Sequence, residues 1–145
     1  METKKLVIAS DHGGFELKED VKNFLIQKNY EVSDLGTSDT QSCDYPVFAK
    51  KVVEKILSNE FEKGILICGT GQGMAMCANK YKGIRAAVCS DTFSAHATRE
   101  HNNSNILCLG ARVVGKNLAL DIVDTWLRAK FEGERHQKRL NMFDS

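Results

Sequence analysis

The chain has 145 residues, 42% of them hydrophobic and 27% charged, and its formal net charge is +1. These values are typical of one soluble globular domain with a core of its own. The near-zero charge gives no support to a nucleic-acid or membrane-surface partner, and no apolar run approaches the length of a membrane-spanning helix.

Five cysteines are spread along the chain without any C-x-x-C pair: Cys43, Cys68, Cys77, Cys89 and Cys108. An odd number without that spacing predicts reduced thiols in the cytoplasm and no zinc site. The first residues lead straight into a strand-like run, without the pattern of a signal peptide. We therefore expect a cytoplasmic protein that binds no metal.

Short apolar or alternating runs predict five strands, and amphipathic patterns after them predict helices. The strands are expected at residues 6–10, 30–36, 64–68, 85–90 and 105–110. The second helix is predicted to start at Asp44-Tyr45-Pro46, because proline fits a first helical turn. Gly133 is placed to break the fifth helix, and residues 134–145 are predicted to form a short basic helix.

This alternation predicts a three-layer α/β/α domain over residues 1–145, with a five-stranded parallel sheet of Rossmann or flavodoxin-like topology and strand order 2-1-3-4-5. Ligands of such sheets bind beyond the carboxyl ends of the strands, at the switch point between strands 1 and 3. Asp11-His12 ends strand 1 and Cys68-Gly69-Thr70 ends strand 3. We expect these two turns to lie side by side.

The second of these turns is rich in glycine, reading Gly69-Thr70-Gly71-Gln72-Gly73 between an apolar strand and a helix. It is not a dinucleotide fingerprint, because Met74 stands where glycine or alanine is needed, and it is not a Walker A loop. Close backbone approach and helix amides favour an anion or oxyanion site there over mere tight packing.

Single residues at these positions have two interpretations each. Cys68 is either a buried strand thiol or a reactive thiolate beside a helix start. His101-Asn102 either ends a helix or supplies a proton shuttle. Arg135 and Arg139 share a helix face, which is either solvated or a phosphate clamp. Residue type alone leaves these alternatives open.

Several motifs in one order resemble the type B ribose-5-phosphate isomerases, whose superfamily includes galactose-6-phosphate isomerase subunits. They are Asp11-His12-Gly13-Gly14, Asp44-Tyr45-Pro46, CGTGQGMAMCANK from Cys68, Gly83-Ile84-Arg85-Ala86, Arg99-Glu100-His101-Asn102, the stretch 109–115 and GERHQKR from Gly133. The resemblance covers nearly the whole chain. It implies a cofactor-free aldose–ketose isomerase of the pentose phosphate pathway that interconverts ribose 5-phosphate and ribulose 5-phosphate.

The resemblance also implies roles for individual residues. Cys68 corresponds to the base that moves a proton between C2 and C1, in place of the glutamate that some members carry at position 74. His101 corresponds to the residue that opens the furanose ring, with Thr70 assisting. The loop amides that would hold the enediolate oxygens are those of Gly69, Thr70, Gly71, Gln72 and Gly73. The ligands of sugar hydroxyls would be Asp11, Tyr45 and Asn102, and Asp11 is also placed among the catalytic residues. The ligands of the phosphate would be His12, Arg112, Arg135 and Arg139, with His136 assisting.

The resemblance further implies a homodimer or homotetramer with sites between subunits. Two other functions stay open from the sequence. One is isomerisation of a six-carbon phosphosugar, such as galactose 6-phosphate or allose 6-phosphate. The other is a non-catalytic phosphosugar-binding module.

Overall fold

A computed structural model describes residues 4–144 as one five-stranded parallel sheet with helices on both faces. The strands are β1 (Lys5–Ser10), β2 (Glu31–Asp34), β3 (Gly64–Cys68), β4 (Ala86–Val88) and β5 (Ile106–Gly110). The helices are α1 (Phe15–Gln27), α2 (Tyr45–Leu57), α3 (Gln72–Ala78), α4 (Thr92–Glu100), α5 (Lys116–Arg128) and α6 (Arg135–Leu140). A 3₁₀ turn at His12–Gly14 joins β1 to α1. The predicted α/β/α fold is confirmed.

Two apolar layers hold the helices to the sheet. Alternate residues of β1, β3 and β5, such as Ile8, Ile67 and Leu109, pack with α1, α4 and α5 on one face. Their neighbours, such as Ala9, Leu66 and Cys108, pack with α2 and α3 on the other. Because the central strands are buried on both faces, they read in the sequence as continuous apolar runs.

The observed strand order is β2-β1-β3-β5-β4, so the predicted order of the last two strands is wrong. β5 pairs with β3 in register from Gly64↔Ile106 to Cys68↔Gly110, and β4 pairs only with β5. β5 is apolar and buried throughout, whereas β4 has three half-buried residues. A short strand that cannot bury both faces belongs at a sheet edge, where it offers little template for further pairing.

Local signals set the helix starts and ends. The predicted start of α2 is confirmed, with Asp44 at its N-cap and proline in its first turn. Gly133 has a φ of 72°, a left-handed conformation, in the connection between α5 and α6. No helix within residues 4–144 is both long enough and apolar enough to cross a bilayer.

Because the strands are parallel, all of them start on one side of the sheet and end on the opposite side. We call the side where they end the carboxyl edge and the side where they start the amino edge; both differ from the lateral edges formed by β2 and β4. The turns after β1, β3 and β5 lie at the carboxyl edge. Helices α4 and α5 follow strands and run back, so their last residues lie at the amino edge, where β5 starts at Ile106. Five strand residues separate the two edges by roughly 13–16 Å.

Candidate active site

The turns after β1 and β3 are in contact at the carboxyl edge, as the switch-point rule predicts. The backbone N–H of Asp11 donates to the Ile67 carbonyl at 3.2 Å. A Cβ added to Gly13 would lie 3.7 Å from the Gly69 nitrogen. The Asp11 carboxylate is buried, and its Oδ1 accepts from the Gly14 N–H at 3.1 Å. This bond fixes the direction of the carboxylate.

Cys68 is the last residue of β3 and only 5% exposed. Its Sγ accepts a hydrogen bond from the Gly71 N–H at 3.2 Å. Gly71 has a φ of 81°, and a Cβ there would lie 3.1 Å from the carbonyl carbon of Leu109. Only glycine therefore lets the turn wrap the sulfur this closely.

The other strand thiols have a different environment. Cys89 and Cys108 are buried in apolar surroundings. Burial raises the pKa of Cys89 to about 11 and raises the pKa of Cys108 as well. Because the thiolate is the reactive form of cysteine, both are inert core residues.

The glycine-rich turn is held by the side chain of Thr70 and by the segment that follows β5. The Gln72 N–H donates to Thr70 Oγ1 at 3.2 Å, and the Arg112 N–H donates to the Gly69 carbonyl at 3.0 Å. The first amides of α3 lie at this turn, and the first amides of any helix have no partner within it. Met74 is fully buried beneath the turn.

Two side chains flank this turn. A Cβ on Gly73 would lie 2.7 Å from the Tyr45 ring, and a Cβ on Gly69 would lie 3.6 Å from the Arg112 Cδ. Tyr45, at the start of α2, is 40% exposed and thus presents part of its ring to solvent. The glycines therefore give the two side chains room to lie against the turn.

His12 completes the group at the carboxyl edge. Its Nδ1 accepts a hydrogen bond from the Cys43 N–H at 3.1 Å. Since Nδ1 is the acceptor, the ring proton of the neutral imidazole is on Nε2, which makes Nε2 a donor. His12 Nε2 is therefore available as a hydrogen-bond donor.

The structure does not bring His101, Asn102, Arg135 and Arg139 to this group within one chain. His101 caps the C-terminus of α4, and the two arginines lie on α6, all at the amino edge. The His101 ring stacks on the His136 ring with centroids 4.5 Å apart. The predicted site residues therefore form two groups at opposite edges of the sheet.

Three arginines in these groups are not neutralised. No carboxylate within residues 4–144 forms an ion pair with Arg112, Arg135 or Arg139, and all three are exposed. Arg128, by contrast, binds Asp124 with a nitrogen–oxygen distance of 3.0 Å. Unpaired guanidinium groups are suited to binding phosphate.

Two residues near the candidate site were missed by sequence reasoning. Cys43 orients His12 through its backbone N–H across 31 positions of sequence. Glu132 lies with its Oε1 3.9 Å from His101 Nε2 and 3.3 Å from His136 Nε2. The Glu132–His136 spacing of four is a weak helical signal, and no sequence pattern links either residue to His101.

Comparisons with known proteins identify the family of the chain. The family model described as Ribose/Galactose Isomerase matches residues 6–143. The ribose-5-phosphate isomerase B of Escherichia coli is 47% identical over 137 residues, which are 94% of this chain and 92% of the relative.

Solved structures are similar over the same length. The ribose 5-phosphate isomerase of Thermotoga maritima superposes with a TM-score of 0.96 at 54% identity, covering 99% of each chain. Ribose-5-phosphate isomerase B of Mycoplasma genitalium, solved with bound ribulose-5-phosphate, gives a TM-score of 0.91 at 44% identity, covering 94% of this chain and 91% of that one. The chain therefore belongs to the ribose/galactose isomerase family.

Proposed function

We propose that this protein is a type B ribose-5-phosphate isomerase, which interconverts ribose 5-phosphate and ribulose 5-phosphate. The observation that carries the proposal is the Cys68 sulfur, held by the Gly71 N–H at 3.2 Å within a glycine-rich turn. The ligand of the Mycoplasma genitalium relative, ribulose-5-phosphate, is the ketose product of this reaction.

Cys68 acts as the base in this proposal. The Cys68 thiolate removes the proton from C2 of the open-chain aldose, and the electrons move into a C1–C2 enediolate. The same thiol then returns the proton to C1, giving the ketose, while a proton passes between the two oxygens. A base within contact of the carbon proton and a stabilised oxyanion are the two requirements of such a transfer.

The glycine-rich turn supplies the oxyanion stabilisation. The amides of Gly73 and Met74 lie in the first turn of α3, where the N–H groups have no partner within the helix, whereas the Gly71 N–H already donates to the Cys68 sulfur. Asp11 and Tyr45 border the turn and bind sugar hydroxyls in this proposal. Thr70 retains its hydroxyl proton for donation, because its oxygen accepts from the Gln72 N–H.

The phosphate is bound away from the reacting carbons. His12 donates through Nε2 and Arg112 through its guanidinium at the carboxyl edge. Arg135 and Arg139 supply two further guanidinium groups, which come from the amino edge of a second chain. Binding energy at the phosphate positions the sugar without taking part in bond changes.

The separation of the two groups supports a site shared between subunits. We infer a homodimer, alone or within a homotetramer, in which the amino edge of one chain meets the carboxyl edge of another. His101 of the partner subunit then takes the proton from O1 of the furanose and returns it to O4 as the C1–O4 bond breaks, with Thr70 assisting. Asn102 of the partner subunit binds a sugar hydroxyl.

The same proposal covers the remaining properties of the chain. The described residues 4–144, which include the short helix α6, belong to a single phosphosugar isomerase domain in this proposal. The reaction uses no cofactor and no metal. The five cysteines are all free, which supports a cytoplasmic location.

A substrate panel tests the proposal directly. Purified protein is assayed with ribose 5-phosphate, allose 6-phosphate and galactose 6-phosphate, and kcat/KM is compared. We expect the highest value on ribose 5-phosphate. A higher value on a six-carbon sugar would reassign the substrate, and calorimetric binding without turnover on any sugar would identify a binding module instead.

A further inference from the structure

Three ligand-type side chains converge at the amino edge, outside the carboxyl-edge group. His101, Glu132 and His136 each offer one ligand atom, and these atoms lie within 4.8 Å of one another. We call them the His101–Glu132–His136 cluster. Two imidazole nitrogens and one carboxylate oxygen form a ligand set that zinc uses in proteins.

His136 shows that the convergence is not an ordinary hydrogen-bonded network. His136 is 7% exposed, and its Nε2 is buried without a hydrogen-bond partner. Glu132 Oε1 is 3.3 Å away, but the contact lacks hydrogen-bond geometry. A buried polar nitrogen without a partner carries a desolvation cost, and coordination of a cation would offset it.

We propose that the His101–Glu132–His136 cluster binds one zinc ion and that the bound ion prevents His101 from opening the furanose ring. The second half of this proposal rests on the function proposed above. The ion is an inhibitor and not a cofactor, so the reaction itself still needs no metal. Chelation then preserves or raises activity.

The distances fit a zinc site after a small adjustment. Ligand atoms of a tetrahedral zinc with bonds of about 2.0–2.1 Å lie roughly 3.3 Å apart. The His136–Glu132 pair already has this separation, at 3.3 Å, while the His101–Glu132 pair is at 3.9 Å. The side chains of His101 and Glu132 are each 46% exposed, so both have room to turn toward the ion.

The ligand types also restrict which ion is bound. Imidazole favours zinc and its transition-metal neighbours, whereas magnesium and calcium prefer oxygen ligands. The stacked His101 and His136 rings, inclined by 21°, keep both imidazoles beside Glu132. Magnesium is therefore the matched negative control for zinc.

Titration calorimetry with zinc chloride on the full-length protein tests the site independently of activity. We expect binding of one zinc per chain, and an absorption band of tetrahedral cobalt when cobalt chloride replaces zinc. Glu132→Gln and His136→Gln should each weaken zinc binding by at least roughly tenfold, because losing a direct ligand costs no less than losing a supporting contact.

Two controls assign the binding to this cluster. Glu100 pairs with His96 at 3.0 Å on α4, which is the same carboxylate–imidazole combination without a third ligand. Glu100→Gln should leave zinc affinity unchanged, and Cys68→Ala should leave it unchanged too. Equal zinc affinity in the wild type, Glu132→Gln and His136→Gln would overturn the site, as would a loss of binding in Cys68→Ala.

Inhibition is measured separately with ribose 5-phosphate. Zinc should inhibit the wild type reversibly, with EDTA restoring the rate, and should inhibit Glu132→Gln at least roughly tenfold less potently. Zinc binding without inhibition would overturn the claim that bound zinc blocks ring opening by His101. If zinc binding depends on Glu132 and His136 but the wild type does not turn over ribose 5-phosphate, the metal site would be supported and the proposed isomerase function refuted.

Discussion

The two edges of the sheet position their polar groups in different ways. At the carboxyl edge, the side chains of Asp11, His12 and Cys68 each accept a hydrogen bond from a backbone N–H. At the amino edge, the side chains of His101 and Arg139 are exposed, and no backbone group among residues 4–144 forms a hydrogen bond with either of them. A backbone donor fixes direction before a substrate binds, which is what a proton transfer requires.

His101 and Arg139 lack such donors within residues 4–144, and their exposed side chains have more freedom to turn than the three carboxyl-edge groups. In the proposed shared site, such groups could still bind a phosphate or transfer a ring proton, because they need only reach a substrate that is held by the other chain. The comparison teaches that the proposed chemistry divides into a fixed half and an adjustable half. Substitutions at the two edges should therefore have effects of different size.

The largest effect is expected from the fixed half. Cys68→Ala should lower kcat on ribose 5-phosphate by about 10²–10⁴-fold, the usual cost of losing a general base. Substrate binding, measured by calorimetry, should be retained. Cys77→Ala is the matched control, because Cys77 is a free, half-buried thiol on α3. Near wild-type turnover in Cys68→Ala would remove Cys68 from the mechanism.

A smaller effect is expected from the adjustable half. Arg139→Ala should lower kcat/KM on ribose 5-phosphate by roughly 10–100-fold, the value of a hydrogen bond to a charged group. It should change kcat/KM on unphosphorylated ribose much less. Arg128→Ala is the control, since Arg128 is already paired with Asp124. Equal losses on the two sugars would mean that Arg139 does not contact the phosphate.

Combining defects from the two edges tests whether they meet between chains. Cys68→Ala and His101→Ala chains, each inactive alone, should recover about a quarter of wild-type activity on equimolar co-expression, because half the random dimers are mixed and each mixed dimer has one intact site. Cys68→Ala with Asp11→Ala should recover nothing, since both defects lie at the carboxyl edge. Recovery in neither pair would place each site within one chain.

The last prediction concerns the chemical reactivity of Cys89 and Cys108, which have no role in the proposed reaction. At pH 8 only roughly a thousandth of Cys89 is thiolate, because its pKa is about 11. Native protein treated with iodoacetamide should therefore carry label on the half-buried Cys43 and Cys77 before Cys89 or Cys108, as read by peptide mass spectrometry. Rapid labelling of Cys108 in folded protein would contradict its burial.

Much of the fold was predictable because apolar periodicity is a local signal. The runs that form β1, β3 and β5 are continuous, and their burial on both faces follows from that. The order of the last two strands was not predictable from a general topology rule. The available evidence was that Ala86–Val88 is shorter and has smaller apolar side chains than β5, which favours a position at the lateral edge of the sheet for β4.

The carboxyl-edge group was predictable in the same way, because the switch-point rule places Asp11 beside the turn after Cys68. The position of His101 was also implied, since a helix that follows a strand returns to the amino edge. The resemblance likewise implied sites between subunits, which allows His101 to lie far from Cys68 of its own chain. The contact of His101 with Glu132 and His136 joins segments about thirty residues apart, and no local pattern encodes it.

The distance between the two edges has a consequence for gene dosage. If each site needs the carboxyl edge of one chain and the amino edge of another, activity follows the concentration of paired chains and not of chains. Below the dissociation constant of the pair, halving expression would lower flux by about fourfold, since pairing depends on the square of chain concentration. The spacing of groups across one sheet would thus make metabolic output respond steeply to how much protein a cell makes.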